Sequence, residues 1–360
     1  MLKDGHELRI FFERPRVEAY RQFSDGERVE WLTGDLMSVH DVSTAIDGVE
    51  VVLHLVSTTL PKSSNDDPIY DVQSNLVATL QLLNAMVAKH VRKIVFISSG
   101  GTVYGNPTYL PIDENHPTEP QVSYGITKLA IEKYLLMYQH LHGIKANILR
   151  VANPFGERQR IETAQGAVGV FLSKAIQHQP LEIWGDGSVT RDYLYVSDVA
   201  EAFARAVDYD GAKSVFNISS GVGTSLNELI DILERVLGHE VVRHYRPGRP
   251  FDVPVSVLDN SLARQELRWV PQVTLEEGIV KKRSTGCARY QINDQSGRGC
   301  QPQSSDGRTR RADRCPAKKS ISWRITSPLS IVGHPIQRVR LAELVMPVIK
   351  RRGGLKKTHL

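Results

Sequence analysis

Residues 91–105 read V-R-K-I-V-F-I-S-S-G-G-T-V-Y-G, and residues 123–128 read S-Y-G-I-T-K. The first run is rich in β-branched residues, which predicts a buried strand that ends at a glycine-containing loop. A loop with several prolines follows, and the second run begins a helix. Tyr124 and Lys128 stand four residues apart, so one face of that helix carries both side chains, one turn apart.

A tyrosine beside a lysine can act as a general base. A free phenol has a pKa near ~10 and accepts a proton poorly at neutral pH. An ammonium held beside it favours the phenolate, so Tyr124 with Lys128 could take a proton from a substrate hydroxyl. A Tyr-x-x-x-Lys pair alone is common on helix surfaces and is usually structural, whereas its place after S-S-G-G-T-V-Y-G makes the catalytic interpretation specific.

Together these runs resemble the extended short-chain dehydrogenase/reductase family, and within it the nucleotide-sugar epimerases. The resemblance extends from about Gly5 to Ile279. It implies an α/β fold, namely a Rossmann-like doubly wound parallel sheet with a smaller substrate-binding α/β subdomain. The implied division is 1–155 for the NAD-binding part and 156–280 for an intertwined nucleotide-sugar part, followed by a basic tail at 281–360.

The resemblance also implies a set of NAD-binding residues. Glu13 ends a short strand, where an acidic side chain hydrogen-bonds the adenosine ribose and favours NAD, while the adjacent Arg14 leaves NADP open. A solvated turn residue is the alternative for Glu13. Asp35, in G-D-L, matches the contact with the adenine amine. The other residues that match cofactor-side positions are Leu36, Leu55, Val56, Ser57, Asn75, Ser98, Tyr124 and Lys128.

Substrate-binding matches lie in the second half of the chain. Asn153, in V-A-N-P-F-G, matches the asparagine that contacts the sugar nucleotide. The run W-G-D-G-S-V-T-R-D-Y carries Arg191 and Tyr193, and R-P-F-D carries Arg249 and Asp252. An arginine has a planar, permanently charged fork that suits a diphosphate, and the resemblance gives the two arginines that role and Asp252 the uridine ribose. Surface ion pairs are the alternative interpretation for each.

The glycine-rich turn that would bind the cofactor pyrophosphate is missing from its expected place. Such a turn precedes the ribose-binding acid by about 20 residues, but only 12 residues precede Glu13, and they include one glycine. We expect that the chain starts late and lacks the family's first strand, which is central in a 3-2-1-4-5-6 sheet. This loss would open the middle of the sheet, weaken NAD binding and make the fold marginal.

The segment after the predicted strand separates the possible reactions. The family's Ser or Thr that hydrogen-bonds the sugar 4-hydroxyl falls on Gly100, so Thr102, two residues on, or Ser99 would supply the hydroxyl. Related 4,6-dehydratases carry an Asp-Glu pair where this chain has Gly101 and Thr102, and elimination of water needs such carboxyls. The resemblance therefore implies a UDP-hexose 4-epimerase that uses bound NAD through a transient 4-keto sugar. A related dehydratase or reductase, or an inactive truncated remnant, is the alternative.

The tail differs in charge from the rest of the chain. Residues 281–360 hold 19 Lys and Arg and 4 Asp and Glu, a charge balance of +15. Because the net charge of the whole chain is +5, residues 1–280 carry a balance of −10. A basic arm for nucleic acid is one interpretation. We favour a disordered or non-native segment, because the composition changes abruptly within an expected helix and aromatic residues are not interleaved. We expect no stable fold from Lys281 onward.

Cysteine spacing and hydropathy bear on metal binding and on membrane association. Cys287, Cys300 and Cys315 lie far apart in the tail, which argues against a zinc site, and we expect no metal. No run of about 18 apolar residues could span a bilayer, and the start M-L-K-D-G-H-E-L has no apolar signal core. A cytoplasmic protein without membrane or nucleic-acid partners is expected, and the resemblance implies a UDP-hexose substrate and a homodimer.

Overall fold

The computed structural model describes residues 1–283, except 3–4, 13–22, 25, 158, 160–165 and 250–252, together with the backbone of 345–350. Glu13, Arg14 and Asp252 therefore lie outside the described residues, as do the three cysteines. Within this part of the chain, no helix is both long and apolar enough to cross a membrane.

The described strands, in chain order, form one large sheet and two small ones. Their bounds are β1 Glu7–Phe12, β2 Val29–Thr33, β3 Val51–His54, β4 Lys93–Ser99, β5 Lys145–Val151, β6 Asn153–Phe155, β7 Leu181–Trp184, β8 Thr190–Tyr195, β9 Val215–Ile218, β10 Gly223–Ser225, β11 Arg243–Arg246, β12 Val255–Ser256 and β13 Val345–Lys350.

The described helices include α4 (Ser123–His142), a helix of 20 residues that carries Tyr124 and Lys128. Their bounds are α1 Val39–Ala45, α2 Pro68–Asp71, α3 Ala78–Ala88, α4 Ser123–His142, α5 Ala167–Ile176, α6 Val196–Asp208, α7 Leu226–Leu237, α8 Ser261–Glu266 and α9 at 275–283. A π-helical stretch, Val72–Val77, joins α2 to α3, and a 3₁₀ turn at Ser63–Asn65 precedes them.

The large sheet is buried on both faces. Its order is β2-β1-β13-β3-β4-β5-β9, and the neighbouring strands are parallel except where β13 pairs. Val52 packs in a core with α1, α3 and α4, while its neighbours Val51 and Leu53 pack on the opposite face with α6. Alternate strand residues point to opposite faces, so a β3 that is apolar throughout must be covered on both sides. This arrangement confirms the predicted Rossmann-like doubly wound α/β fold.

The middle of the large sheet is filled by a strand from the far end of the chain. β13 pairs antiparallel with β1 and with β3, in the place where a parallel first strand was expected to be missing. The expectation that this loss opens the sheet is therefore wrong, because buried backbone N–H and C=O groups require partners and residues 345–350 provide them. The expectation of no stable fold from Lys281 onward is also wrong for these six residues.

The small sheets and α5, α7 and α9 surround a separate apolar core. β8 pairs with β10, β12 and β6, and β11 pairs with β7. The core includes residues of α5, α7 and β8 together with Ile279 of α9. α9 extends to residue 283, three residues beyond the predicted limit at 280, and buries Lys282. The division into 1–155 and 156–280 remains a prediction.

Candidate active site

The loop after β4 begins at a glycine that lies close to the Leu258 side chain. Gly100 donates its N–H to the Val151 carbonyl at 2.9 Å, and a Cβ on Gly100 would overlap the side chain of Leu258. This contact gives a physical reason for glycine where the family has a hydroxyl residue. On the next helix, a Cβ on Gly125 would lie 2.8 Å from the Thr102 carbonyl oxygen, so the loop and α4 approach closely.

Tyr124 and Lys128 lie side by side at the start of α4. The Lys128 Nζ atom is 5.6 Å from the centre of the Tyr124 ring and 4.8 Å from that of Phe96. Lys128 is 2% exposed, and its Nζ donates to the Ile97 carbonyl at 3.0 Å. The Ser57 side chain lies within hydrogen-bonding reach of the Tyr124 phenol. The residues are therefore close together as the helical spacing predicted, and their catalytic role stays a prediction.

Burial dominates the ionisation of this pair. It raises the pKa of Tyr124 to about 12; the Asp71 carboxylate also raises this pKa, and the Ser57 hydrogen bond lowers it. Burial likewise lowers the pKa of Lys128 to about 8, although Asp71 and Glu132 act in the opposite direction. Contrary to the expectation from the sequence, the lysine does not make the tyrosine acidic by itself, because removing both groups from water disfavours their charged forms.

Thr102 offers the hydroxyl that Gly100 lacks. Within the described residues, its Oγ1 atom is buried and has no hydrogen-bond partner. Buried hydroxyls in proteins are nearly always paired, so an unpaired one on the loop that packs against α4 is a candidate to hydrogen-bond a substrate hydroxyl. The Thr102 and Val103 amides both donate to the Ser99 carbonyl, which shapes the turn. Thr102 is therefore favoured over Ser99, and both assignments stay predictions.

The predicted cofactor-side residues occupy different environments. Asn75 is buried, and its Oδ1 accepts from the Thr58 amide at 2.9 Å, so it fixes the loop that holds Ser57. The Ser98 hydroxyl donates to Glu132 inside the protein. Asp35 follows β2, and its Oδ1 accepts from the Met37 amide at 2.8 Å. Leu36 and Val56 pack in the core on one face of the sheet, and Leu55 packs against the core on the other.

The predicted substrate-side residues lie on and beside β8. Asn153 Nδ2 donates to the Asp192 carbonyl at 3.1 Å, while its Oδ1 faces Gly101. Tyr193 has a buried hydroxyl without a hydrogen-bond partner among the described residues, and burial raises its pKa to about 12 while nearby Arg191 lowers it. The Arg249 guanidinium lies over the ring of Trp184, 5.5 Å from its centre. Their ligand contacts stay predictions.

Three buried charged residues near the pair were not predicted from the sequence. Asp71 accepts hydrogen bonds from Ser123 and Thr127 of α4. Glu132 lies one turn beyond Lys128, and Arg150 donates to it through Nη2 at 2.6 Å. Spacing could have indicated two of them, because Asp71 stands four residues before Asn75 and Glu132 four residues after Lys128. The sequence signal that could have identified these two residues is a carboxylate four positions from a predicted site residue on the same helix.

The described residues fit the NAD implied by the resemblance at one end only. At the nicotinamide end, Tyr124 and Lys128 face the loop of Ser57, and Thr102 adds an unsatisfied hydroxyl. For the pyrophosphate, the family fold uses a glycine-rich turn between the central strand and a helix N-terminus. In the described part of the chain, β13 occupies that central position and runs in the opposite direction. The described residues would therefore hold the reacting end of NAD, and among them no such turn is present for the pyrophosphate.

Comparison with known proteins agrees with this geometry. Residues 1–219 match the model of the NAD dependent epimerase/dehydratase family. A UDP-glucose 4-epimerase from Mycolicibacterium smegmatis is 36% identical over 284 residues, which cover 78% of this chain and 91% of the relative. A dTDP-4-dehydro-6-deoxyglucose reductase from Escherichia coli is 35% identical over 248 residues, covering 69% and 76% of the two chains.

A solved structure extends the similarity to the fold. The UDP-glucose 4-epimerase from Thermotoga maritima, crystallised with UDP-glucose, aligns with a TM-score of 0.71 and 32% identity, covering 73% of this chain and 86% of that one. The family match spans more than half of the chain and includes the predicted catalytic pair. The chain therefore belongs to the NAD dependent epimerase/dehydratase family.

Proposed function

We propose that this chain is a nucleotide-sugar 4-epimerase that acts on a UDP-hexose with NAD. One observation carries the proposal: the buried, unpaired hydroxyl of Thr102 lies, among the described residues, on the loop that packs against the first turn of α4, which carries Tyr124 and Lys128. A carbinol proton can be removed and returned by this set of groups without a carboxylate. The family membership and the epimerases among its relatives support the same reaction.

NAD, when bound, would accept a hydride from the sugar carbon and later return it, and its positive ring would favour the tyrosine phenolate. Within the chain, Thr102 would accept or donate a hydrogen bond at the sugar hydroxyl, and Tyr124 would take the hydroxyl proton at its phenol oxygen. Lys128 would keep a positive charge beside that oxygen, and Ser57 would orient the phenol.

A reductase of the same family is the second candidate, because the Escherichia coli relative carries that name. The two reactions differ in redox balance: epimerisation returns the hydride, whereas reduction consumes a reduced cofactor. The purified chain should therefore be incubated with UDP-glucose and UDP-galactose, and separately with a dTDP-4-keto sugar and NAD(P)H. Interconversion of the UDP-hexoses without net cofactor turnover is expected. Cofactor oxidation only with the keto sugar would replace the proposal with the reductase.

Arg191→Ala and Arg249→Ala are each expected to weaken binding of a UDP-hexose by about tenfold or more. A charge-assisted hydrogen bond to a phosphate contributes ~1.5–3 kcal/mol, and 1.4 kcal/mol is a factor of about ten in the dissociation constant. Isothermal titration calorimetry with UDP measures this. Arg205→Ala, which removes an exposed arginine paired with Glu201 on α6, is the matched control. Wild-type affinity in both test variants would make these arginines surface residues.

We propose that the active form is a homodimer built on the exposed sides of α4 and the α2–α3 segment. These adjacent helices contact each other and expose Ile69, Val77, Ile126, Met137 and Leu141, with Ile69 71% exposed. Two copies could cover each other's apolar side chains, which are unfavourable in water. A second copy is the partner because the resemblance implies self-association.

Met137→Glu is expected to convert the dimer into a monomer, since it places a charge within the apolar surface that the second copy would cover. Sedimentation velocity gives the mass directly. Val222→Glu introduces the same charge at an exposed apolar position, beside β10, and should leave the dimer intact. A monomeric wild type, or a dimer that survives Met137→Glu, would contradict this interface.

A further inference from the structure

Asp71 is a fully buried carboxylate beside the predicted catalytic pair, and its side-chain partners among the described residues donate to it. Its Oδ2 atom accepts from the Ser123 and Thr127 hydroxyls at 2.8 Å each. Its Oδ1 atom accepts from Asn75 Nδ2 at 3.0 Å and from the Thr59 hydroxyl. A carboxylate can accept at both oxygens, so this arrangement fully satisfies a group that is expensive to bury otherwise.

The first turn of α4 depends on the segment that carries Asp71. The N-cap residue Val122 gives no side-chain hydrogen bond to the helix. The Ser123 amide instead donates to Asn65 Oδ1 at 2.9 Å, and the Tyr124 amide donates to Ser64 Oγ at 3.0 Å. Helix N-terminal amides need such external partners. Residues 64–71 therefore hold the start of the helix from outside, through backbone amides and through the Asp71 carboxylate.

The same carboxylate also holds the loop on the other side of the tyrosine. Thr59 donates its hydroxyl to Asp71, and the Thr59 carbonyl accepts from Ser57 Oγ at 3.1 Å. Ser57 in turn lies within hydrogen-bonding reach of the Tyr124 phenol, whose pKa it lowers. Two chains of contacts thus join Asp71 to Tyr124, one through the backbone of α4 and one through the loop.

We propose that Asp71 is a positioning residue, whose carboxylate holds the first turn of α4 against residues 57–59 and so fixes the Tyr124 phenol. The chemical consequence rests on the proposed function, whereas the geometry belongs to the chain alone. An asparagine side chain at this position would not reproduce the hydrogen bonds that Asp71 accepts. An amide offers one acceptor oxygen, and its two N–H groups would face partners that donate to Asp71 in the wild type. The structure predicts a local loosening of α4 when the carboxylate is removed.

The charge of Asp71 adds a second effect. Within the described part of the chain, the ionisable groups that face Tyr124 and Lys128 are Asp71 from α2, Glu132 from α4, and His54 from β3, whose pKa burial lowers to about 3. His54 is therefore neutral near pH 7, and Asp71 raises the pKa values of both Tyr124 and Lys128. Removing the Asp71 charge lowers both of these pKa values, so the two limbs of a pH–rate profile should move to lower pH.

Hydrogen exchange tests the positioning role without any cofactor or turnover. Asp71→Asn is expected to speed exchange of the amides in 123–128 by at least tenfold relative to wild type. Asp198→Asn is the matched control, because Asp198 is also buried and accepts from the Gln272 and Val273 amides. Exchange in 123–128 should stay at the wild-type rate in that control. A wild-type rate in Asp71→Asn, or an equal increase in both variants, overturns the proposal.

Two further measurements keep the inference testable. If Asp71→Asn does not fold, Ser123→Ala removes one donor to the same carboxylate and should increase exchange in 123–128 by a smaller factor. In an active wild type, Asp71→Asn should lower kcat about tenfold or more with KM within about twofold, and should move both pH limbs downward. If neither limb of the pH–rate profile moves, the role of Asp71 is structural only. An inactive wild type would contradict the proposed function, and the exchange rates would still decide on Asp71.

Discussion

Tyr124→Phe is expected to reduce the turnover of a UDP-hexose by about 10³-fold, because a positioned general acid–base contributes roughly 10²–10⁴-fold. Phenylalanine retains the ring beside Lys128 and removes only the phenol oxygen, so the packing of α4 should persist. The affinity for UDP should stay within about twofold, since the phenol is assigned to the sugar hydroxyl and not to the diphosphate. A coupled epimerase assay and calorimetry with UDP measure the two quantities.

Tyr134→Phe is the matched control for this variant. Tyr134 lies on the same helix and is 37% exposed, so loss of its hydroxyl should not alter turnover. Turnover of Tyr124→Phe at the level of this control would refute the assignment of Tyr124 as the general base. A parallel loss of UDP affinity would instead indicate that the phenol contributes to binding.

Lys128→Met is expected to abolish epimerisation and yet to stabilise the folded chain at pH 7. The pKa of Lys128 is lowered from 10.5 to about 8, which corresponds to a cost of about 3 kcal/mol for holding its charge in the protein. Loss of its hydrogen bond to the Ile97 carbonyl offsets about 1 kcal/mol of the gain. A net increase of about 2 kcal/mol in the free energy of unfolding follows. Urea denaturation of both proteins measures it.

The pH dependence of this gain identifies its cause. Below about pH 8 Lys128 is charged in both the folded and the unfolded chain. The full free-energy cost of burying its charge in the folded chain is therefore present. Between pH 8 and 10.5 the unfolded chain binds more protons than the folded one, and the wild type therefore becomes more stable relative to Lys128→Met. The difference between the two proteins should shrink over this window. Lys133→Met, at an exposed position of α4, should show no such dependence. A gain that is independent of pH would exclude the buried charge as its source.

The placement of Tyr124 beside Lys128 was predictable because their spacing is a property of the helix itself. Residues four apart on an α-helix lie one turn apart whatever surrounds them, and the apolar run before the loop predicts a buried parallel strand. Ser98 matches a cofactor-side position of the family, and that assignment stays a prediction. Spacing did not indicate that its hydroxyl donates to Glu132, which in turn pairs with Arg150 of β5.

Long-range contacts explain why the hydroxyl residue was ambiguous. A side chain at Gly100 would meet the end of the Leu258 side chain, which is distant in sequence, and no local pattern reveals that contact. The pKa of Tyr124 has the same origin. A lysine one turn away predicted a more acidic phenol, whereas burial, which depends on every packed neighbour, raises the pKa to about 12.

The sequence by itself determined the α/β class, the doubly wound sheet and the family, because hydrophobic period and motif spacing are local properties of the chain. Only the tertiary structure decided that Asp71 joins the loop of Ser57 to α4, because its four donors come from segments that are separate in sequence. It also decided that residues 345–350 pair between β1 and β3. Strand pairing is made by backbone groups that every residue carries, so the side-chain pattern of the tail could not specify that partner.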